Sequence, residues 1–519
     1  MKKTIILTLA VALAFNLPAQ TADMAVKVSE QQYEGSARTL AMGNAFTALG
    51  GDIGALAINP ASSGIMRTSS LSISPSINVA RGEADYLGIS ARDNSTRFSM
   101  ANAGFGWNID TGRYTGLLNF NIGLSFNRKN NYNNFMSTGG TTRESSMLSS
   151  MAHNLYGTNW KELDIEEGKL IGYNPSNNTQ LGWPSILAWN TYLLSTIDPA
   201  TDNEYMSSTE NIVPKEDGTY DLYIPGDLKQ TFNRNTFGGA NEFSINFGSN
   251  ISDILFLGVN FNFTTIDYTY EENYNETALD SKVFQDGFVQ MNHSYWLTVR
   301  GMGFDAKFGA ILTPVKGLRI GATFTTPTAY RLTDTWCNSM ISEFNNGNRF
   351  SQKSPTGTYS YKLSSPIRFS VGLAYVFKRG LISFDYERVD YSTAKFRTIN
   401  NYIETSIELE NDAIRQYYTA SNIFRAGAEF WCTDKIALRA GYAQYGAPAD
   451  FETKTQLVSG GIGCKIGNRS SLDFTYQHRL NQDYDFTIYD YDEPCAMKAP
   501  TGHVAYSGSR FVLSYSVKF

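Results

Sequence analysis

Charge is scarce in this sequence. Asp, Glu, Lys and Arg make up 18% of its 519 residues, and there are only four histidines and four cysteines. A nucleic-acid binder gathers basic residues on one face. Here the net charge is −6 and no basic block occurs, so nucleic acid is excluded as a partner. Long apolar runs are missing too. A helix needs about 20 apolar residues to cross a bilayer. Only one run comes close, at the N-terminus, and mean hydropathy is −0.29. A helical membrane bundle is therefore excluded. Gly-x-Ser-x-Gly, His-Glu-x-x-His and phosphate-loop patterns are absent, so no enzyme signature, metal site or cofactor is indicated. What the chain has in quantity is aromatic or small: 32 Phe, 31 Tyr and 44 Gly. That many aromatics exclude disorder. Low charge with high Tyr, Phe, Gly and Asn points to many strands, half of whose faces meet something other than water.

The one apolar run is an address. Lys2 and Lys3 precede the uncharged stretch Ile5–Leu17, and Leu17-Pro18-Ala19-Gln20 follows as a cleavage region. This is the layout of a secretory signal peptide over residues 1–20. It is too short for an anchor. Cuts after Ala19, Gln20 or Ala22 all fit, and no cysteine stands nearby to carry a lipid.

Beyond Ser69 the dominant signal is strict alternation, the mark of a strand with two unlike faces. Leu118, Phe120, Ile122, Leu124 and Phe126 are separated by Asn119, Asn121, Gly123 and Ser125. The pattern recurs fourteen times, near 69–80, 95–108, 116–128, 238–250, 254–270, 288–312, 318–332, 356–377, 381–396, 421–432, 436–446, 454–466, 471–480 and 507–519. Connections on one side are tight, at 109–115, 251–253, 313–317, 378–380, 433–435 and 467–470. Those on the other side are mostly long. An even strand number with this lopsided punctuation is the pattern of a transmembrane β-barrel, and closure removes the unpaired edges of a large sheet. The predicted fold is all-β: a 14-stranded antiparallel transmembrane barrel over residues 69–519, with 129–237 as a large extracellular loop, in the outer membrane of a Gram-negative cell. Leu, Ile, Val and Phe would face outer-membrane lipid, and Gly, Ser and Asn the lumen. The last strand ends on Phe519, which resembles the assembly signal read by barrel-assembly machinery.

Residues 21–68 do not alternate. Small residues dominate, with helix-like pieces around Ala37–Met42 and Ile53–Ile58, the second stopped by Pro60. Such a short segment makes no core of its own, but a fourteen-stranded barrel is wide enough to hold it. Gly35-x-Ala37-x-x-Leu40-x-Met42-Gly43-x-Ala45-Phe46, followed by Asp52 and Asn59-Pro60-Ala61, resembles the hatch of the FadL/TodX family, and the likeness extends over the whole chain. That resemblance implies passive outer-membrane transport of long-chain fatty acids or other hydrophobic compounds. It further implies capture by outer loops, an internal pocket near the start of the hatch, and sideways release at a kinked third strand. Asn59, Pro60, Ala61, Gly43 and Phe46 become candidate hatch or gating residues. The third strand here, Gly116–Arg128, contains no proline, although Gly116 and Gly123 permit a bulge. The largest outer loop is the second, where the family leads one to expect the third and fourth to form the capture groove. Relatives also serve as secretion or surface-attachment subunits and as hemin receptors, and these remain alternatives.

Other candidates follow from residue type. The stretch after Pro184 in the second loop reads as a helix whose Trp183, Ile186, Leu187, Trp189 and Leu193 either pack over the barrel mouth or form a hydrophobic capture surface. Arg368, Arg425, Glu429, Arg439 and Asp473 share inward parity and read as paired charges lining a wet lumen. His153 and His503 fall in outer loops, and Ser294 beside His293 is the only adjacent Ser–His pair. Cys432 and Cys464 lie on non-adjacent strands. Cys337 and Cys495 lie in outer loops, where a disulfide would suit the oxidising compartment.

Overall fold

The computed structural model describes residues 21–519 apart from 167–168, 171–181, 198–202, 217–219, 401–403, 493–494 and 496. The expected signal peptide lies outside the described residues. The wall runs in chain order: β1 Ser70–Tyr86, β2 Ile89–Asp110, β3 Leu117–Asn131 resuming as Asn134–Thr142, β4 Leu228–Ile251, β5 Leu255–Ala278, β6 Phe288–Val315 and β7 Leu318–Thr325 resuming as Ala329–Phe344. It continues with β8 Gly357–Ser364 resuming as Arg368–Phe377, β9 Gly380–Asp390, β10 Ala420–Trp431, β11 Ile436–Tyr445, β12 Thr455–Ile466, β13 Ser470–Thr487 and β14 Thr501–Lys518. Each strand pairs antiparallel with the next. β1 closes on β14, from Ser70↔Lys518 to Asp85↔His503. At the seam the ring of Phe519 stacks 5.9 Å from Phe105.

The barrel is turned inside out relative to a protein in water. Ile73, Phe261, Val371 and Leu513 stand exposed, while Ser72, Asn260, Ser370 and Ser514 beside them are buried. Each large apolar side chain left in water forgoes about 1.5–3 kcal/mol, so a ring of them requires lipid. Each wall strand has a ladder partner on both sides, as the bilayer interior demands.

The strands run further outward than apolar alternation predicts. In β5, Glu271, Asn273 and Asn275 alternate with Tyr and Glu rather than with Leu or Phe, so the apolar signal stops while the ladder continues to Thr277↔Gln290. Short turns lie at one end, except that β1 and β2 join at the outer end through Leu87-Gly88, where a long loop was expected. At Lys316-Gly317 the glycine takes φ 91°, which closes the β6–β7 turn.

Residues 21–68 sit inside the barrel. Helix α1, Ala22–Ser29, is capped by Thr21, whose hydroxyl accepts from the Met24 N–H. It was not evident from the sequence, where α1 carries no clear period. The one-turn helix α2, Ala37–Ala41, is capped by Ser36. A 3-10 turn follows at Gly54–Ala57, and Pro60 both stops it and opens a second at Pro60–Ile65, capped by Asn59. Among the described residues the outer loops supply three further helices: α3 Met147–Asn154, α4 Trp183–Asn190 and α5 Thr405–Tyr417.

Candidate functional site

The floor of the plug rests on glycine. An added Cβ at Gly248 would lie 1.9 Å from the Ser63 hydroxyl, at Gly258 2.4 Å from the Pro60 carbonyl carbon and at Gly309 1.9 Å from Asn59 Oδ1. At Gly321 it would lie 1.9 Å from the Thr47 carbonyl oxygen, and at Gly441 2.2 Å from the Gly43 nitrogen. The register makes these one belt, since Gly248 faces Gly258, Gly258 faces Gly309, and Gly321 faces Gly372 on adjoining strands. No side chain fits between wall and plug. Wall asparagines then saturate the plug backbone, because its short turns leave carbonyls without partners. Asn246 donates to the Pro60 carbonyl at 3.0 Å, Asn260 to Leu56 at 2.8 Å and Asn119 to Met66 at 3.1 Å. Asn59 donates to the Thr47 carbonyl at 2.6 Å and accepts from the Ala61 N–H at 3.0 Å. Asn59, Pro60, Ala61, Gly43 and Phe46 are therefore all buried in this floor.

Charges fix the floor further. Glu429 accepts from Arg38 of the plug at 2.8 Å and from Arg439 of the wall at 2.6 Å, and Arg439 also donates to Asp473 at 2.6 Å. Glu387 bridges Arg368 at 2.7 Å and Arg425 at 2.8 Å. All five predicted charges are buried and ion-paired beside the plug. Arg368 also donates to the Ser29 carbonyl at 2.6 Å. The residues that sequence reasoning missed are the partners: Arg38, Glu387, and Lys129 between Glu242 at 3.3 Å and Asp305 at 3.6 Å. Glu387, Glu242 and Asp305 share the inward parity that singled out the arginines. The row of inward glycines was a further unread signal.

Above the floor the lumen becomes an apolar chamber, and α1 fills it. Met24, Ala25, Val26 and Val28 pack in one cluster with Tyr132, Ile266, Leu297, Leu332 and Tyr361 of the wall and Ile407 and Ile414 of α5. Polar contacts hold it as well. The Ala22 N–H donates to Glu410 at 2.8 Å, the Tyr418 hydroxyl donates to Asp23, and the Lys27 ammonium lies 5.0 Å from the Tyr268 ring centre. Glu452, in the outer loop between β11 and β12, has its carboxyl pushed up to about 8 by burial, reinforced by the negative charges of Glu30 and Asp23. The cavities left beside residues 31–33 are about 20 and 50 Å³ and are lined by polar groups such as Arg368, Glu387, Asn131 and Arg510. Each has room for water only.

The wall is incomplete at one place. β2 and β3 pair from Asp110↔Asn119 to Asn102↔Asn127 and no further. β3 breaks at Tyr132-Asn133, and its register against β4 shifts between Ala240 and Asn241. The plug covers the unpaired edge: the N–H of Gln32 donates to the Lys129 carbonyl at 2.9 Å, and that of Glu34 to Arg128 at 3.0 Å.

The predicted capture residues lie in α4 and just after it, but they do not form an open surface. Ile186, Leu187 and Leu193 are fully buried in a cap that also holds Leu148, Met151, Tyr274 and Tyr489. Trp183 and Trp189 are half-buried, and the Trp189 indole donates to Asp164 at 2.9 Å. The apolar face of α4 is turned inward because α3 and the outer strands offer it a core. Ser294 and His293 form no pair, since His293 contacts Asn338 at 3.1 Å and Ser294 donates to Asn273 at 3.2 Å. His153 and His503 are held separately, by the Asp492 carbonyl and by Asp485. Cys337 lies in β7 rather than in a loop, and Cys337, Cys432 and Cys464 are free thiols.

No family model matches the chain, and no curated protein does. Solved structures do match. The toluene transporter TodX of P. putida is 12% identical, over 95% of this chain and 99% of its own, with a TM-score of 0.52. A FadL homologue of Pseudomonas aeruginosa is 13% identical, over 97% and 99%, with a TM-score of 0.51. At such identity the likeness is one of fold: this chain is built as those barrels are.

Proposed function

We propose that this chain, a barrel of the TodX and FadL type, is a passive outer-membrane channel for hydrophobic small molecules, long-chain fatty acids among them. One observation carries the reading. A lumen otherwise lined by polar groups contains an apolar chamber, and its occupant is a single helix held mainly by interchangeable apolar contacts. A hydrophobic ligand entering past the cap displaces α1 and replaces its contacts at little net cost, because apolar burial is non-directional. The edge between β2 and β3 then supports sideways release. It is covered by residues 32–34, so withdrawing the start of the plug uncovers chamber and wall together. On this reading the floor, with Asn59, Pro60, Ala61, Gly43 and Phe46, stays in place, and gating belongs to residues 21–35. Trp183 and Trp189 take a capture role only once the cap opens.

A reversible lock tests this. Ala25→Cys with Ile414→Cys, both in the shared apolar cluster, joins α1 to α5, with Cys432 and Cys464 replaced by Ser to remove competing thiols. Oxidised cells should take up radiolabelled oleate no faster than cells lacking the protein, and reduction should restore uptake. Equal uptake in the oxidised and reduced states would overturn the mechanism. A second reading, a barrel that holds partner proteins in a secretion or attachment assembly, is favoured by the solidly filled lumen and the large packed cap. It gains if the reduced protein gives no uptake of oleate, toluene or hemin.

A further inference from the structure

The end of the barrel that bears the short turns holds an open vestibule of about 500 Å³ beneath the floor of the plug. Its lining joins two chemistries. Leu49, Ile53 and Ile65 of the plug and Val376 and Leu381 of the wall form an apolar back. Around them stand seven basic side chains against three acidic ones. Arg38 and Arg439 are already neutralised by Glu429 and Asp473. Asp52 is engaged by the Ser36 hydroxyl at 2.7 Å and the Gly54 N–H at 2.8 Å. Lys465 lies 4.1 Å from the Trp431 ring centre.

Arg319 differs from these. It lies on the inner face of β7, two residues from Gly321, which seats the Thr47 carbonyl. It is half-buried, and among the described residues no hydrogen bond or ion pair engages its guanidinium. A planar fork of five donors left without an acceptor inside a cavity is a site for a planar anion. Lys378, Arg469 and Lys518 at the rim add positive potential, which raises the local concentration of anions.

We infer that this vestibule binds a small organic carboxylate with an apolar body, its carboxylate on Arg319 and its body against Leu49, Val376 and Leu381. A carboxylate is favoured over a spherical anion because the apolar back and the bidentate fork together fit a molecule with two unlike ends. The inference extends the transport reading to the far side of the plug, but occupancy is measured without transport.

The full-length protein in zwitterionic detergent is titrated with 4-fluorobenzoate and, separately, with neutral 4-fluorobenzyl alcohol, followed by fluorine NMR line broadening. Benzoate should broaden saturably and the alcohol should not. Arg319→Gln, with its barrel shown intact by heat-dependent gel mobility, should weaken benzoate binding by about tenfold or more, the value of one charge-assisted bidentate contact. A second measurement does not depend on that variant. A nitroxide on Asn468→Cys, exposed in the β12–β13 turn at the vestibule, in a C432S C464S C495S background, should broaden the bound fluorine resonance further. Equal binding of the alcohol, an unchanged affinity in R319Q, or no effect of the nitroxide would each overturn the site. An empty vestibule with intact oleate uptake rejects this inference alone. An occupied vestibule without uptake rejects the transport reading alone.

Discussion

The two halves of the plug are held by different physics. Residues 36–66 sit against backbone. Wall glycines leave no room for a Cβ, asparagine amides donate to plug carbonyls, and a shared carboxylate pins Arg38. Such contacts are directional, and losing one leaves a buried polar group unsatisfied, at about 1–3 kcal/mol each. Residues 22–29 sit instead against Tyr, Ile and Leu side chains, through Ala, Met and Val. These contacts have no required direction, so another apolar body can substitute for them. In the proposed function one segment serves as both fixed floor and exchangeable stopper, and the boundary falls near Gly35, whose φ of 65° turns the chain between them.

Substitutions can test that contrast, beginning with the largest effect. Gly258→Val with Gly321→Val drives side-chain atoms into plug backbone, which cannot yield as a flexible side chain would. Overpacking costs roughly 1–3 kcal/mol or more per site, so the double variant should fail to reach the outer membrane as a heat-resistant barrel. Gly460→Val should assemble normally, because a Cβ there meets its nearest atom at 3.9 Å. Assembly of both would show that the seat is not tight.

Next in size is Glu429→Ala. It strips Arg38 of its partner and Arg439 of one of two. Removing one member of a buried charge network costs about 3–5 kcal/mol, to be read as a lower urea midpoint.

A change in the chamber should reverse the balance between stability and function. Val26→Asp puts a charge where the residue is 3% exposed, which expels α1 while the floor remains. The expected result is a loss of only about 1–3 kcal/mol together with faster oleate uptake. Uptake at the wild-type rate would mean that the chamber is not the route.

The smallest effect is that of pH. The carboxyl of Glu452 is raised to about 8 by burial next to Glu30 and Asp23, with Lys27 opposing them. A raised carboxyl stabilises the closed state when protonated. That contribution is complete below its ordinary value of 4.5, declines as pH rises, and is gone above about 8. Uptake should therefore increase between pH 6 and pH 9, a window of about three units around that value, and Glu452→Gln should flatten the profile.

Much of the architecture was legible because a wall strand declares itself locally. Leu513 and Ser514 reveal their faces without knowledge of any neighbour, and all fourteen strands follow from such pairs. The floor was half legible. Asn59-Pro60-Ala61 marked it, but the glycine belt that seats it appears only when strands are laid side by side. Helix α1 was not legible, since eight residues make too short a helix to hold by themselves and fold where the chamber gives them a surface. The cap illustrates the same limit in reverse. Ile186, Leu187 and Leu193 carried a correct helical spacing, yet the spacing did not say whether their apolar face meets solvent or a core.

The low charge and missing apolar runs of the sequence therefore determined that this chain closes into a barrel with lipid outside and polar groups inside, because a period of two fixes both faces at once. Tertiary structure alone decided that Glu387 joins Arg368 to Arg425 and that Arg319 joins nothing among the described residues. Both outcomes depend on how strands are staggered and on where a plug from the other end of the chain comes to rest, and parity within a strand contains neither.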